Sequence, residues 1–232
     1  MSRPGTAALE TPELSVVLPT INEAANLRLL FPRLKKTLGA IGVPSEILVI
    51  DENSTDGTAA VALREGATVV SQALPGFGRA IRLGIETARG RHIVTMDADG
   101  SHPPEAIEDL WKAREGFDLV IGSRYIPGGS VETSPVRHFL SRFLHLFDAA
   151  VLGLPVADGS SGLRLYRAAP VKALVLASRN AAIQEEIIVK LLKNGGRLRE
   201  VPFHYAPRAA GKSKIRILDS ALSYLRILAA RD

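Results

Sequence analysis

Cysteine is absent from this sequence, which excludes disulfides, thiolate metal sites and a cysteine nucleophile and fits a reducing compartment. Long apolar runs are missing too. The longest charge-free apolar stretch, residues 149–157, is broken by Gly153 and Pro155 and falls far short of the ~20 residues that span a bilayer. Residues 1–12 carry one Arg and no apolar core of the signal-peptide type, so they are expected to form a short disordered leader. Aromatics make up only 5%, there is no dense Lys/Arg run, and no nucleic-acid module is recognisable, which argues against a nucleic-acid partner. A Walker-type Gly-rich lysine loop is lacking as well.

What is present is an ordinary globular composition: 232 residues, 46% hydrophobic and 23% charged. Lys and Arg number 29 against 24 Asp and Glu, and the net charge of +5 suits an anionic ligand or an anionic membrane surface. The 20 glycines and 14 prolines are spread along the chain and imply many element boundaries. In the first half, β-rich runs at residues 13–18, 46–50, 67–71, 91–96 and 117–122 alternate with helical periodicity at 22–38 and 78–89. Near-continuous apolar runs such as ILVI and LVIG are what strands look like when helices cover both faces of a parallel sheet. The expected fold is therefore α/β, a doubly wound and mostly parallel sheet. Pro32 is expected to kink or split the first helix. The second half reads as a helix over 135–152, a short run at 162–166, a helix over 183–193, a strand at 199–204 and an amphipathic helix from Ile215.

Ligands of such sheets bind beyond the carboxyl ends of the strands. The sharpest signal there is Asp97-Ala98-Asp99, followed by Gly100-Ser101-His102-Pro103-Pro104. In an extended segment alternate side chains share a face, so the two carboxylates converge and can hold Mg²⁺ or Mn²⁺, which completes its shell with water and substrate phosphate. The plainer alternative is that one Asp caps the helix near Pro103 and the other is solvated. The second signal is Asp51-Glu52-Asn53-Ser54-Thr55-Asp56-Gly57-Thr58, where Asp56 and Thr58 can cap the next helix and Asp51 is expected to bind ligand. The third is Gly76-Phe77-Gly78 before a helix, readable either as an anion site or as a tight turn.

The ordered set VVLPTINEAANL (16–27), ILVIDENSTDGT (47–58), GFGRAIRLGIETARG (76–90), VTMDADGSHPPE (94–105), LVIGSRYIPGG (119–129), DGSSGLRLYR (158–167), EIIVK (186–190) and VPFHYAPRAAGKSKI (201–215) resembles dolichol-phosphate mannose synthases, which are inverting GT-A glycosyltransferases. The resemblance covers nearly the whole chain. It implies a single GT-A catalytic domain over 13–232, with a donor-binding half over 13–122 and an acceptor-binding half over 123–232. It further implies that Pro19, Thr20, Ile21, Glu23, Asp51, Gly76, Gly78, Asp97, Ala98 and Asp99 bind the nucleotide sugar, GDP-mannose ahead of a UDP-sugar. Asp97 and Asp99 would hold the Mg²⁺ or Mn²⁺ with Ser101, which falls where relatives place a third ligand, Gln. Arg124, Arg137, Arg208, Lys212 and Lys214 would surround the phosphate of a polyprenyl acceptor. Departures are Ile21 where many relatives have Tyr, Glu52 for the usual second Asp, and Gly100 for a common Leu. The hydrophobic carboxyl-terminal spans of some relatives have no counterpart here. The expected location is thus cytoplasmic, peripheral at the membrane face or beside a membrane-anchored partner.

A polyprenyl monophosphate, with its second pKa near ~6, arrives largely deprotonated and needs no general base. Asp99 and Arg124 then carry the catalytic work of stabilising and aligning charge. Transfer to a hydroxyl would instead need a carboxylate base worth roughly 10² to 10⁴ in rate, for which Glu186 is the first candidate and Asp158 the next. The competing expectation is that Glu186 pairs with a basic residue of the acceptor loop. A non-catalytic nucleotide-sugar-binding subunit is a further alternative, against which the acidic pair Asp97 and Asp99 argues.

Overall fold

The computed structural model describes residues 11–132 and 153–206. Residues 1–10 of the leader, the helix expected over 135–152, Arg137, Arg208, Lys212, Lys214 and the terminal helix from Ile215 lie outside the described residues. Within them the order is β1 (Leu14–Thr20), α1 (Ala24–Ile41), β2 (Ser45–Asp51), α2 (Thr58–Arg64), β3 (Thr68–Ser71), α3 (Phe77–Thr87), β4 (His92–Thr95), α4 (Ala106–Lys112), β5 (Leu119–Ser123), β6 (Ser130–Val131), β7 (Arg164–Arg167), α5 (Ala168–Lys172), α6 (Ile183–Lys193), β8 (Leu198–Pro202) and β9 (His204–Tyr205).

The main sheet has the order β3-β2-β1-β4-β7-β5-β8. β1 pairs in parallel with β2 and β4, β2 with β3, and β5 with β8. β7 alone runs antiparallel, inserted between β4 and β5. The second half of the chain therefore closes the sheet begun by the first. β1 shows why its run is continuously apolar: Leu14, Val16 and Leu18 pack under α1, α2 and α4, whereas Val17 faces the opposite layer of α3, α5 and α6. Both faces are covered by helices, as the apolar runs required.

α1 passes unbroken through Pro32. Proline removes one backbone donor, but Leu27, Leu30, Phe31 and Leu34 on either side are buried against the sheet, and that burial outweighs one missing hydrogen bond. The expected split does not occur. From β1 the chain winds outward to β2 and β3, then returns to place β4 on the other flank. The reversal leaves a crevice between the carboxyl ends of β1 and β4, where doubly wound sheets hold their ligands.

Candidate active site

The loops after β1 and β2 are stitched together before any ligand is considered. Asn22, at φ +52°, donates its N–H to Ser54 Oγ (2.8 Å) and accepts from the Thr55 N–H through Oδ1 (2.9 Å). Asp56 accepts from the N–H of Ala24 (2.9 Å), the first residue of α1, and from the N–H of Thr58 (3.0 Å), the first of α2. One carboxylate thus serves two helix starts. Asp51 accepts from Thr20 Oγ1 (3.1 Å), from the Ser54 N–H (3.0 Å) and from the Ser54 hydroxyl (2.5 Å). Its carboxylate, expected to meet ligand, organises its own turn.

A cavity of about 160 Å³ opens in the crevice between β1 and β4. Pro19 and Glu23 form one wall, Asp97, Ala98 and Asp99 another, and Phe77, Ser160, Gly162, Ala181 and Gln184 complete it. β4 ends at Thr95, so the acidic pair sits on a bend rather than on an extended strand. Gly100 at φ +85° makes that bend, a conformation that the Leu of relatives would adopt only under strain. Asp99 Oδ1 accepts from both the N–H (3.0 Å) and the hydroxyl (2.5 Å) of Ser101. Ser101 is fully buried and fixes Asp99 through these two bonds.

The other end of the bend is held by His102. The Asp97 N–H donates to His102 Nδ1 (2.9 Å), and because an amide only donates, Nδ1 must be the unprotonated nitrogen. Burial keeps the imidazole below its usual pKa despite the nearby Asp97 and Asp99, so the ring is neutral. Phe203 and Tyr205 meet it edge-on at centroid distances of 5.6 and 5.7 Å. Ala206 donates its N–H to the Ser101 carbonyl (3.1 Å), tying the segment after β9 to the same loop. Two carboxylates presented to a cavity suit a hard cation that keeps positions open for water and phosphate. Among the described residues no group of three or more His, Cys, Asp or Glu forms a closed cage.

Other residues singled out in the sequence have different neighbours. A Cβ on Gly78 would lie 2.6 to 2.8 Å from the backbone of residues 178–180, and the Gly78 N–H donates to the Arg179 carbonyl (3.0 Å). A Cβ on Gly76 would meet that same carbonyl at 2.5 Å. Protein backbone therefore lies against the amino end of α3, read in the sequence either as an anion site or as a tight turn, and the glycines admit that backbone. Arg124 forms a fork on the fully buried Asp158, with both nitrogen to oxygen distances 2.7 Å, and its guanidinium lies over Tyr125 and Tyr205. Burial would lower the Arg124 pKa, but the Asp158 carboxylate outweighs it and the net direction is upward. Asp158 is thereby engaged and does not stand ready as a base.

Glu186 accepts from the N–H groups of Ala177 (2.9 Å) and Ser178 (2.8 Å) and from Lys190 Nζ (2.6 Å). Burial pushes its carboxyl up, whereas Lys190 and the two amides overcome that and hold it below the ordinary carboxylate range. A base for a hydroxyl acceptor needs the opposite shift. Among the described residues its basic partner is Lys190, one turn along the same helix, and the acceptor loop lies outside them.

Three residues near the cavity were not singled out in the sequence. Arg164 is fully buried and donates to the carbonyls of Ser161 (2.7 Å), Gln184 (2.7 Å) and Gly159, joining β7 to α6. Ser160 is both cavity wall and an Arg124 partner (3.0 Å). Gln184 is the one with a readable signal: with Ile187, Ile188 and Leu191 it follows the i+3, i+4, i+7 rule, which makes it a polar residue on a buried face. A larger cavity, about 350 Å³, lies at the opposite end of the sheet among His92, Arg114, Arg167 and Arg197. Two of its arginines face acids, Arg167 meeting Asp118 at 2.6 Å and Arg114 meeting Glu115 at 2.9 Å, and the Arg197 guanidinium lies over Phe117.

Residues 15–175 match the family described as glycosyl transferase family 2. The chain is 33% identical over 220 residues to polyprenol monophosphomannose synthase of Mycolicibacterium smegmatis, covering 86% of this chain and 80% of that protein. It is 35% identical over 214 residues to undecaprenyl-phosphate mannosyltransferase of Micrococcus luteus, covering 86% of each. Dolichol-phosphate mannosyltransferase of Pyrococcus furiosus is 34% identical over 88% of this chain, which spans 59% of that longer protein. A solved structure of glucosyl-3-phosphoglycerate synthase from Mycobacterium tuberculosis, holding Mn²⁺, UDP and phosphoglyceric acid, superposes with a TM-score of 0.71 at 24% identity over 99% of this chain and 84% of that one, a likeness of fold. The crevice between β1 and β4 thus belongs to a GT-A glycosyltransferase, a member of glycosyl transferase family 2.

Proposed function

We propose that the protein transfers mannose from GDP-mannose to the phosphate of a polyprenyl monophosphate. The observation that carries this reading is the 33–35% identity, along most of the chain, to three proteins named for mannosyl transfer to polyprenyl phosphates or for the product. In this reading residues 13–122 are the donor half and residues 123–232 the acceptor half of one catalytic domain. Asp97 and Asp99 hold a Mg²⁺ or Mn²⁺ ion, which supplies Lewis-acid stabilisation of the departing diphosphate. Ser101 and His102 keep the two carboxylates in place, and Pro19 and Glu23 line the opposite wall.

The acceptor phosphate is already anionic at neutral pH, so in-line attack at the anomeric carbon needs no protein base and inverts its configuration. The engagement of both Glu186 and Asp158 in structural contacts agrees with that economy. Arg124, with Arg137, Arg208, Lys212 and Lys214, supplies the positive charge that aligns two mutually repelling anions. Arg208 follows two residues after Ala206, which is bonded to the loop of the acidic pair. No helix of the described residues is long and apolar enough to cross a membrane. In this reading the lipid is met peripherally at the cytoplasmic face.

The test is label transfer from GDP-mannose, UDP-glucose and UDP-N-acetylglucosamine, with and without polyprenyl phosphate, in Mn²⁺ or EDTA. Cation-dependent mannose label in the organic phase is the expected result. Donor consumption with no lipid product would replace the lipid phosphate by a soluble hydroxyl acceptor.

A further inference from the structure

We infer that Gln184 is a specificity-determining residue for the donor, its side-chain amide reading a hydroxyl of the sugar ring. This rests on the donor-site reading above and deepens it. Gln184 is 1% exposed yet lines the cavity that also receives Asp97, Asp99 and Glu23. One end of its amide is used: Oε1 accepts from the Tyr166 hydroxyl (3.4 Å). The other end, Nε2, is buried and has no hydrogen-bond partner among the described residues. Reversing the amide would not remove the imbalance, because one end would still lack a partner while the other met Tyr166.

A buried donor left unpaired costs about 1–3 kcal/mol. An apolar side chain would avoid that penalty, and the face offers it a home, with Ile187, Ile188 and Leu191 all buried at the following helical positions. The backbone of Gln184 is also held firmly, its N–H donating to the Ala181 carbonyl (3.0 Å) and its carbonyl accepting from Arg164 (2.7 Å). A fixed helical position thus carries an amide that the described residues satisfy by half. The cavity beside it also receives Asp97 and Asp99, where the donor diphosphate and its cation would lie. A sugar hydroxyl both donates and accepts, so it completes the amide, and a ring whose hydroxyl points elsewhere leaves the penalty in place. That difference is a basis for choosing among hexoses.

The experiment compares wild type with Gln184→Met, close in shape but apolar, and Gln184→Glu, which keeps the shape and loses the donor. Calorimetric Kd values are measured on the full chain for GDP and for GDP-mannose in Mn²⁺, together with the thermal midpoint. Both variants are expected to weaken GDP-mannose about tenfold with GDP unchanged, and Gln184→Met to keep or raise its midpoint, since it removes an unpaired polar group. In a panel of deoxy-mannose donors, one is expected to bind wild type and Gln184→Met alike. Equal weakening of GDP and GDP-mannose, or an unchanged ratio with a lowered midpoint, would overturn the inference and leave a structural amide. A shifted ratio without transfer to polyprenyl phosphate would uphold Gln184 and overturn only the acceptor reading.

Discussion

Asp97 and Asp99 differ in how they are held, and their variants should differ accordingly. Asp99 receives two bonds from Ser101, whereas Asp97 is positioned through its backbone by His102. Asp99→Asn is expected to lower kcat/KM by about 10³-fold or more, the scale of losing a stabiliser of developing charge. Ser101→Ala should act more gently, raising the Mn²⁺ concentration needed for half activity without abolishing turnover; a Mn²⁺ titration of initial rates checks both. Arg124 carries a structural charge as well as its proposed role toward the acceptor. Arg124→Ala strands the buried Asp158 and should cost about 3–5 kcal/mol in denaturant unfolding, much of it recovered in Arg124→Ala with Asp158→Ala. Glu186→Gln should leave the pH profile of kcat unchanged, because the carboxylate is tied to the 177–178 turn and Lys190.

At the scale of elements, the contacts that shape the crevice are made between loops far apart in sequence. Gly78 lets residues 178–180 lie against the first turn of α3, so Gly78→Ala should lower stability by about 1–3 kcal/mol and loosen the cavity wall near Ala181. A thermal melt with and without GDP checks the first part, and the GDP Kd the second. Asp56 joins α1 and α2, and its carboxyl lies below the ordinary 3.8: burial raises it, but the Thr58 hydroxyl and the N–H groups of Ala24 and Thr58 outweigh burial. A carboxyl lowered in the fold stabilises the fold fully above its unfolded pKa and loses that contribution as pH falls through the lower folded value. Asp56→Asn should therefore flatten the acid limb of the stability curve below about pH 4, read from urea midpoints across that range.

For the whole molecule, doubly wound topology places the carboxyl ends of β1, β2 and β4 at one edge, and the proposed donor site lies there. Binding at that edge joins α1, β4 and α6 through the cavity wall. Saturating GDP-mannose with Mn²⁺ should thus raise the thermal midpoint, with about 2.7 kcal/mol expected at a ligand concentration of 100 times Kd, and EDTA should remove most of the increment.

Local pattern and order along the chain determined a good part of this molecule. The apolar runs that became β1, β2, β4 and β5 were legible because both faces of those strands are buried, and the acidic pair was legible because it follows one of them. The helix over residues 183–193 followed from periodicity alone. What only the tertiary structure decided are the partners: Asp158 for Arg124, Lys190 and a turn for Glu186, Ser54 for Asp51, and the backbone of residues 178–180 for Gly78. The antiparallel β7 between β4 and β5 belongs with them, as do Arg164 and the half-satisfied Gln184. The physical reason is the same throughout. A side chain's chemistry is written in its own residue, but whether a carboxylate is free to act depends on donors brought to it by segments tens of residues away, and only packing specifies those.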